Sequence, residues 1–150
     1  LSKMPNLLCA STSGAGYDPV DVEACNRHGV LVVNQSGCNA NSVAEHAMAM
    51  ILTLNRKTHK AYNRVREQNF SLNGLLGFDL FGKTVGIIGT GNIGKAFAKI
   101  ASGFGCKVLA YDIVENDEML KDGVSFVGLE EIFKSSDIIS LSRANIFNSA

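Results

Sequence analysis

Residues 84–94 read TVGIIGTGNIG, an apolar run that passes directly into three glycines with the spacing G-x-G-x-x-G. The apolar run predicts a buried strand, and the residues from Ile93 to Ser102 predict a helix. A second apolar run, residues 107–111, is followed by Asp112, eighteen residues after Gly94. A glycine triplet alone is weak evidence. With a strand before it, a helix after it and an acid at this distance, it predicts a dinucleotide-binding turn.

Each residue of the turn has its own predicted role. Gly89 lets the chain turn sharply off the strand, and Gly91, which has no Cβ, lets a pyrophosphate approach the backbone. Gly94 is expected to pack the helix against the strand. Asn92 and Ile93 begin the helix and present backbone N–H groups to the phosphates, where the helix dipole favours an anion.

Asp112 indicates which dinucleotide binds. Its carboxylate can accept hydrogen bonds from the hydroxyls of the adenosine ribose. A 2′-phosphate would meet that negative charge, at a cost of up to about 4 kcal/mol for a separation of about 4 Å and an effective dielectric constant of about 20. Residues 113–115, Ile-Val-Glu, offer no cation to offset the repulsion. We therefore predict NAD rather than NADP. The alternative is that the glycines are ordinary turn residues and Asp112 is a strand-end acid.

The order of the predicted elements indicates an α/β fold with a doubly wound parallel sheet. A first unit consists of strand 7–10, helix 19–28 and strand 30–33. A long helix follows, beginning with a capping box formed by Ser42 and Glu45. Its segment 47–54 is apolar nearly all round, which predicts burial between two bodies rather than on one surface. An irregular connection, 67–82, leads into the glycine turn. The remaining predicted elements are strand 84–88, helix 92–102, strand 107–111, strand 124–127, helix 129–134 and strand 137–141.

Composition excludes several partners. Fourteen basic and fourteen acidic residues cancel, so we predict no nucleic-acid or membrane partner. The one basic cluster, residues 56–66, is interpreted as a solvated helix face. The longest apolar run, 47–54, is too short to span a bilayer. The four cysteines show no metal-type spacing, which predicts no metal site and a reducing, cytoplasmic setting.

Four further segments accompany the glycine turn: SGAGYD at 13–18, VNQSG at 33–37, SVAEH at 42–46 and GFDLFGKT at 77–84. With these motifs in this order over residues 1–141, the chain resembles the D-isomer-specific 2-hydroxyacid dehydrogenases, which include glycerate, phosphoglycerate, D-lactate and formate dehydrogenases. The resemblance implies that residues 1–37 end a flavodoxin-like substrate domain and that residues 38–66 form an interdomain helix. Residues 67–150 would then be the first half of a Rossmann-type NAD domain.

The resemblance also implies roles for residues outside the glycine turn. Ala15 and Gly16 would direct backbone N–H groups toward the substrate carboxylate and the nicotinamide end of NAD. Asn39 would face the substrate, and Val43 would pack near the cofactor. The alternatives are a simple turn at residues 15–16 and, for Asn39, a loop amide that caps the backbone.

The activity implied is hydride transfer between nicotinamide and a small 2-hydroxy or 2-oxo acid. Reduction needs a cation for the carboxylate, an acid for the carbonyl oxygen and a group that tunes the acid. The family supplies Arg, His and Glu for these roles from segments beyond Ala150, and Arg143 comes one strand too early. We assign no catalytic residue to this chain.

After Leu141 the sequence leaves the family pattern. We therefore expect a fragment, by truncation, frame shift or divergence, of a protein that is a homodimer at full length, and we expect the chain alone to be inactive. Two alternatives stay open: a non-catalytic NAD-binding regulatory or interaction module, and a methyltransferase that binds S-adenosylmethionine.

Overall fold

The computed structural model describes residues 1, 3–14, 16–35 and 37–142. The chain divides into two compact units, Leu1–Ala40 and Asn41–Ala150. Among the predicted site residues Ala15 lies outside the described residues, and so does the segment 143–150 with Arg143.

The first unit is a small α/β unit. It contains β1 (Cys9–Ser11), α1 (Val22–Arg27) and β2 (Leu31–Val33), and the two strands pair in parallel. The helix is shorter than the predicted 19–28 because Asp21 is the capping residue: its Oδ1 accepts a hydrogen bond of 2.8 Å from the N–H of Ala24. Gly29, with φ of +68°, follows the helix end, as predicted.

Two helices, α2 (Ala40–Arg56) and α3 (Thr58–Arg66), stand where one long helix was predicted. Lys57 separates them with a left-handed φ of 52°. The predicted capping box is wrong, because α2 begins at Ala40 and Ser42 lies inside its first turn. The structure does not test the predicted burial of segment 47–54 between two bodies, which stays a prediction. Ala44 and Met48 are buried, whereas Leu54 is 70% exposed.

Polar side chains from these helices hold the connection that leads to the sheet. Lys57 Nζ and the guanidinium of Arg64 each donate to two backbone carbonyls within residues 71–76, at 2.7–3.0 Å. The side chain of Asn55 pairs with both backbone groups of Phe78, at 2.7 and 2.8 Å. Two members of the basic cluster therefore bind backbone oxygens and are not simply a solvated face.

The second unit carries the four-stranded sheet. Its elements are β3 (Thr84–Ile88), α4 (Asn92–Gly103), β4 (Lys107–Tyr111), α5 (Asp117–Lys121), β5 (Ser125–Phe126), α6 (Leu129–Ser135) and β6 (Ile138–Leu141). The strands are all parallel, in the order β5-β4-β3-β6. The predicted α/β class with a parallel sheet is confirmed. β3 and β4 have the predicted bounds, while α5 was not predicted.

The core of this unit forms around β3. Val85 and Ile87 of this strand are buried, as are Phe97 and Ala101 of α4. One face of α2 joins the same core through Ala44 and Met48. The sheet, α2 and α4 therefore share one hydrophobic core. Because this core holds β3 and α4 against each other, it fixes the position of the turn between them.

Gly86 in β3 leaves no room for a side chain. A Cβ there would lie 2.4 Å from Ser136 Oγ and 2.8 Å from Ile132 Cγ2. We expect Gly86→Ala to lower the free energy of unfolding by about 1–3 kcal/mol, the usual cost of overpacking, measured by urea denaturation. Gly103→Ala is the control, since a Cβ at Gly103 meets no described atom within 4 Å. Equal stability of the two variants would contradict the packing argument.

Asp137 joins the beginnings of β3 and β6. Its Oδ2 accepts from the N–H of Thr84 at 2.8 Å, and its Oδ1 accepts from Lys83 Nζ at 3.2 Å. The backbone hydrogen bond from Thr84, followed by that from Lys83, lowers the pKa of Asp137 from its ordinary value. The ionised form is therefore the one that the fold favours.

This lowered pKa predicts a pH dependence. A carboxylate whose pKa is lower in the folded state stabilises the fold above its unfolded pKa, and the contribution disappears as the pH falls through the folded value. We expect Asp137→Asn to destabilise the chain at neutral pH, with a difference from wild type that narrows as the pH falls below about 4. Urea denaturation across this range measures it. A difference between Asp137→Asn and wild type that stays constant over this pH range would refute the assignment.

Candidate cofactor-binding site

The turn between β3 and α4 depends on two glycines. Gly89 adopts φ of +99°, a left-handed conformation that favours glycine, and its N–H donates to Tyr111 O at 2.9 Å. A Cβ at Gly94 would lie 2.0 Å from Gly89 O and 3.4 Å from Ile87 Cγ2. Only a glycine at position 94 therefore permits α4 to rest on the turn, which is the packing role that the sequence indicated.

No described residue crowds the N-cap position of α4. Gly91 is the N-cap, in an extended conformation, and a Cβ there would meet no described atom within 4 Å. Asn92 and Ile93 are the first helical residues, so their backbone N–H groups have no partner within the helix. The first turn reads Asn-Ile-Gly-Lys, without an acid that would compete for these groups. The turn thus fits a pyrophosphate, which needs room, backbone donors and a favourable dipole.

Asp112 lies directly after β4 and is fixed by hydrogen bonds. Its Oδ2 accepts two of them from Thr90, one from the N–H at 2.6 Å and one from the hydroxyl at 3.0 Å. Its Oδ1 accepts from the N–H of Ile113 at 2.8 Å. The carboxylate is half-buried and is joined to the glycine turn through Thr90. The structure therefore brings Asp112 and the glycine turn together.

Sequence reasoning missed two residues of this arrangement, Thr90 and Asn116. Asn116 Nδ2 donates to Thr90 O at 3.4 Å, and Asn116 Oδ1 caps α5 by accepting from the backbone of Glu118 and Met119. The available signals were a threonine between two glycines and an Asn-Asp-Glu run, which is typical of a helix start.

Three described residues near the turn or Asp112 offer nothing to attract the 2′-phosphate of NADP. Ile113 and Val114, which follow Asp112, are 75% and 76% exposed and apolar. Lys95, in the first turn of α4, forms an ion pair with Glu118. The hydrogen bond from Lys95 is the main cause that lowers the pKa of Glu118. The first lysine of α4 is therefore already paired with a carboxylate.

The other predicted site residues lie elsewhere in the chain. Gly16 is exposed and Asn39 is half-buried, both in the first unit, and Asn39 directly precedes α2. Val43 lies in α2 and is 39% exposed. The structure does not test their ligand roles, which stay predictions.

The described residues contain neither a cluster of metal-ligand side chains nor a membrane-spanning helix. In that part of the chain, no group of three or more His, Cys, Asp or Glu side chains could hold a metal ion. Nor does any helix there have the length and apolar character needed to cross a membrane.

Comparison with known proteins places this geometry in a family. The sequence model of the "D-isomer specific 2-hydroxyacid dehydrogenase, NAD binding domain" matches residues 48–145. The chain is 50% identical over 127 residues to 2-hydroxyacid dehydrogenase A of Aspergillus oryzae, covering 85% of this chain and 36% of that protein.

Two solved structures are similar in fold and sequence. The apo-structure of D-lactate dehydrogenase from Escherichia coli has a TM-score of 0.85 and 43% identity over 92% of this chain and 44% of that one. D-lactate dehydrogenase from Aquifex aeolicus, complexed with NAD and lactic acid, has a TM-score of 0.84 and 40% identity over 95% of this chain and 43% of that one.

The chain thus spans less than half the length of these three relatives. The description of the matched family as an NAD-binding domain confirms the predicted cofactor, NAD. The resemblance seen in the sequence is likewise confirmed, and the chain belongs to the NAD-binding domain family of the D-isomer-specific 2-hydroxyacid dehydrogenases.

Proposed function

We propose that residues 84–116 bind the adenosine and pyrophosphate part of NAD, in an oxidoreductase that transfers hydride between nicotinamide and a small 2-hydroxy or 2-oxo acid. The observation that carries the proposal is the open N-terminus of α4 at Gly91 with the carboxylate of Asp112 fixed beside the same turn. Gly89, Gly91 and Gly94 shape the turn, while Asn92 and Ile93 donate backbone hydrogen bonds to the phosphates.

The preference for NAD over NADP follows from Asp112. Its carboxylate accepts hydrogen bonds from the ribose hydroxyls and repels a 2′-phosphate. The exposed residues 113–114 are apolar and supply no compensating charge. Lys95 is paired with Glu118. Both observations support a site for NAD.

The substrate side is proposed from family resemblance. Ala15 and Gly16 would direct backbone N–H groups to the substrate carboxylate, Asn39 would face the substrate and Val43 would pack near the cofactor. The relative from Aquifex aeolicus was solved with NAD and lactic acid, which supports a small 2-hydroxy acid. We propose the division into residues 1–37, 38–66 and 67–150 for the substrate domain, interdomain helix and NAD domain, in a cytoplasmic homodimer.

The chemical step needs more than these residues. Holding and orienting NAD is the contribution that the described residues can make, by backbone donors and by Asp112. We propose that the Arg, His and Glu of the family come from parts of the relatives that have no counterpart in residues 1–150. The isolated chain would then bind NADH without turning over a 2-oxo acid.

Calorimetric titration of the chain with NADH, NADPH and S-adenosylmethionine tests the proposal. We expect NADH to bind and NADPH to bind at least about tenfold more weakly, because repulsion by Asp112 opposes the 2′-phosphate. S-adenosylmethionine, which has no pyrophosphate, should not bind. Binding of S-adenosylmethionine in place of NADH would contradict the proposal. NADH oxidation with small 2-oxo acids, measured on this chain and on any longer product of the same gene, would separate an enzyme from a non-catalytic NAD-binding module.

Gly91→Ala tests the position of the pyrophosphate. Because the added methyl group meets no described atom within 4 Å and the backbone is extended, we expect the variant to fold with the stability of wild type. The methyl group would project into the space assigned to the pyrophosphate, so NADH affinity should fall at least about tenfold. Urea denaturation and NADH titration measure the two quantities.

Two further variants serve as controls. Gly103→Ala should leave NADH affinity unchanged, since it lies at the far end of α4. Gly94→Ala should lower stability, because its Cβ would strike Gly89 O. Undiminished NADH affinity in a folded Gly91→Ala protein would refute the assigned site.

A further inference from the structure

We infer that Thr90 is a positioning residue for cofactor specificity: its hydroxyl holds the carboxylate of Asp112 toward the adenosine ribose and thereby sets the preference for NADH over NADPH. This inference rests on the proposed function, in which Asp112 meets the ribose. Thr90 itself is not assigned a contact with the cofactor.

The hydrogen bonds of Asp112 carry the inference. The N–H and the hydroxyl of Thr90 donate to the same oxygen, Oδ2, and the N–H of Ile113 donates to the other, Oδ1. Donors on both oxygens restrain the rotation of the carboxylate about its Cβ–Cγ bond. A charge-assisted hydrogen bond is stronger than a neutral one, so these contacts hold the carboxylate in a single orientation.

The surroundings of Thr90 strengthen its hold on Asp112. Thr90 is only 4% exposed, so water has little access to its hydroxyl. As a β-branched side chain it is restricted at χ1, and Asn116 Nδ2 donates to its carbonyl oxygen. The hydroxyl therefore has a fixed position from which to donate to Asp112.

The hydroxyl is the part of Thr90 that a substitution can remove selectively. Any residue at position 90 except proline retains the backbone N–H that donates to Oδ2. Valine has nearly the shape of threonine but cannot donate from its side chain. With that donor lost, the carboxylate is held less firmly in the orientation that the ribose hydroxyls meet. It can also rotate away from a 2′-phosphate, which reduces the repulsion that excludes NADPH.

The experiment compares Thr90→Val with Thr90→Ser, which keeps the hydroxyl, by titrating each full chain with NADH and with NADPH. We expect Thr90→Val to weaken NADH about three- to tenfold, as for the loss of one hydrogen bond to a charged group, and to leave NADPH unchanged or tighter. The specificity ratio, which is the dissociation constant for NADPH divided by that for NADH, should therefore fall by about the same factor. Thr90→Ser should keep the ratio of wild type. A role limited to folding would weaken both cofactors equally, and an unchanged ratio in Thr90→Val would overturn the inference.

A double-mutant cycle tests whether Thr90 acts through Asp112. Asp112→Asn alone should lower the specificity ratio, and adding Thr90→Val should then change it no further. A second, independent fall in the ratio would refute action through Asp112. If thermal denaturation without cofactor shows that Thr90→Val is not folded, Thr90→Ala takes its place. Failure of the wild-type chain to bind NADH would refute the proposed function, whereas an unchanged ratio in a variant that binds NADH refutes this inference alone.

Discussion

The contact between Gly94 and the carbonyl of Gly89 is the constraint on which the second unit depends. A Cβ at position 94 would lie 2.0 Å from that oxygen. With any residue other than glycine at this position, α4 could not approach the end of β3 so closely. This approach lets Phe97 and Ala101 bury against β3. It also places the first amides of α4 at the carboxyl end of the strand, where ligands of parallel α/β sheets bind. Packing and the proposed anion site thus share one cause.

Two buried polar side chains give the loops around this contact a defined geometry. Among the described residues only Asn55 and Thr90 are both polar and buried. Asn55 pairs with both backbone groups of Phe78, in the segment that enters β3, and Thr90 fixes Asp112 beside the turn. A buried polar group costs free energy unless it is hydrogen-bonded. Each of these loops therefore has a strong preference for the conformation that satisfies its buried partner.

The sequence predicted the bounds of β3 and β4 because each is a five-residue apolar run between turn signals. It failed where distant contacts decide the structure. The break between α2 and α3 at Lys57 has no glycine or proline to mark it, and the side chain of Lys57 binds carbonyls seventeen and nineteen residues away. Helix α5 was missed because five residues are too few to show a periodic pattern, and its cap belongs to the interactions of the glycine turn.

The same distinction explains which site residues could be predicted. Gly89, Gly91 and Gly94 act through their backbone and through the absence of a Cβ, so their spacing alone indicates their roles. Asp112 follows from its distance along the chain. Thr90 occupies a variable position of the G-x-G-x-x-G pattern, and its importance appears only when the structure places it against a residue twenty-two positions later. In the proposed site the glycines determine where a phosphate can bind, while the residue between two of them holds the carboxylate to which we assign the discrimination between cofactors. On this proposal, cofactor binding and cofactor choice depend on different features of the same short sequence.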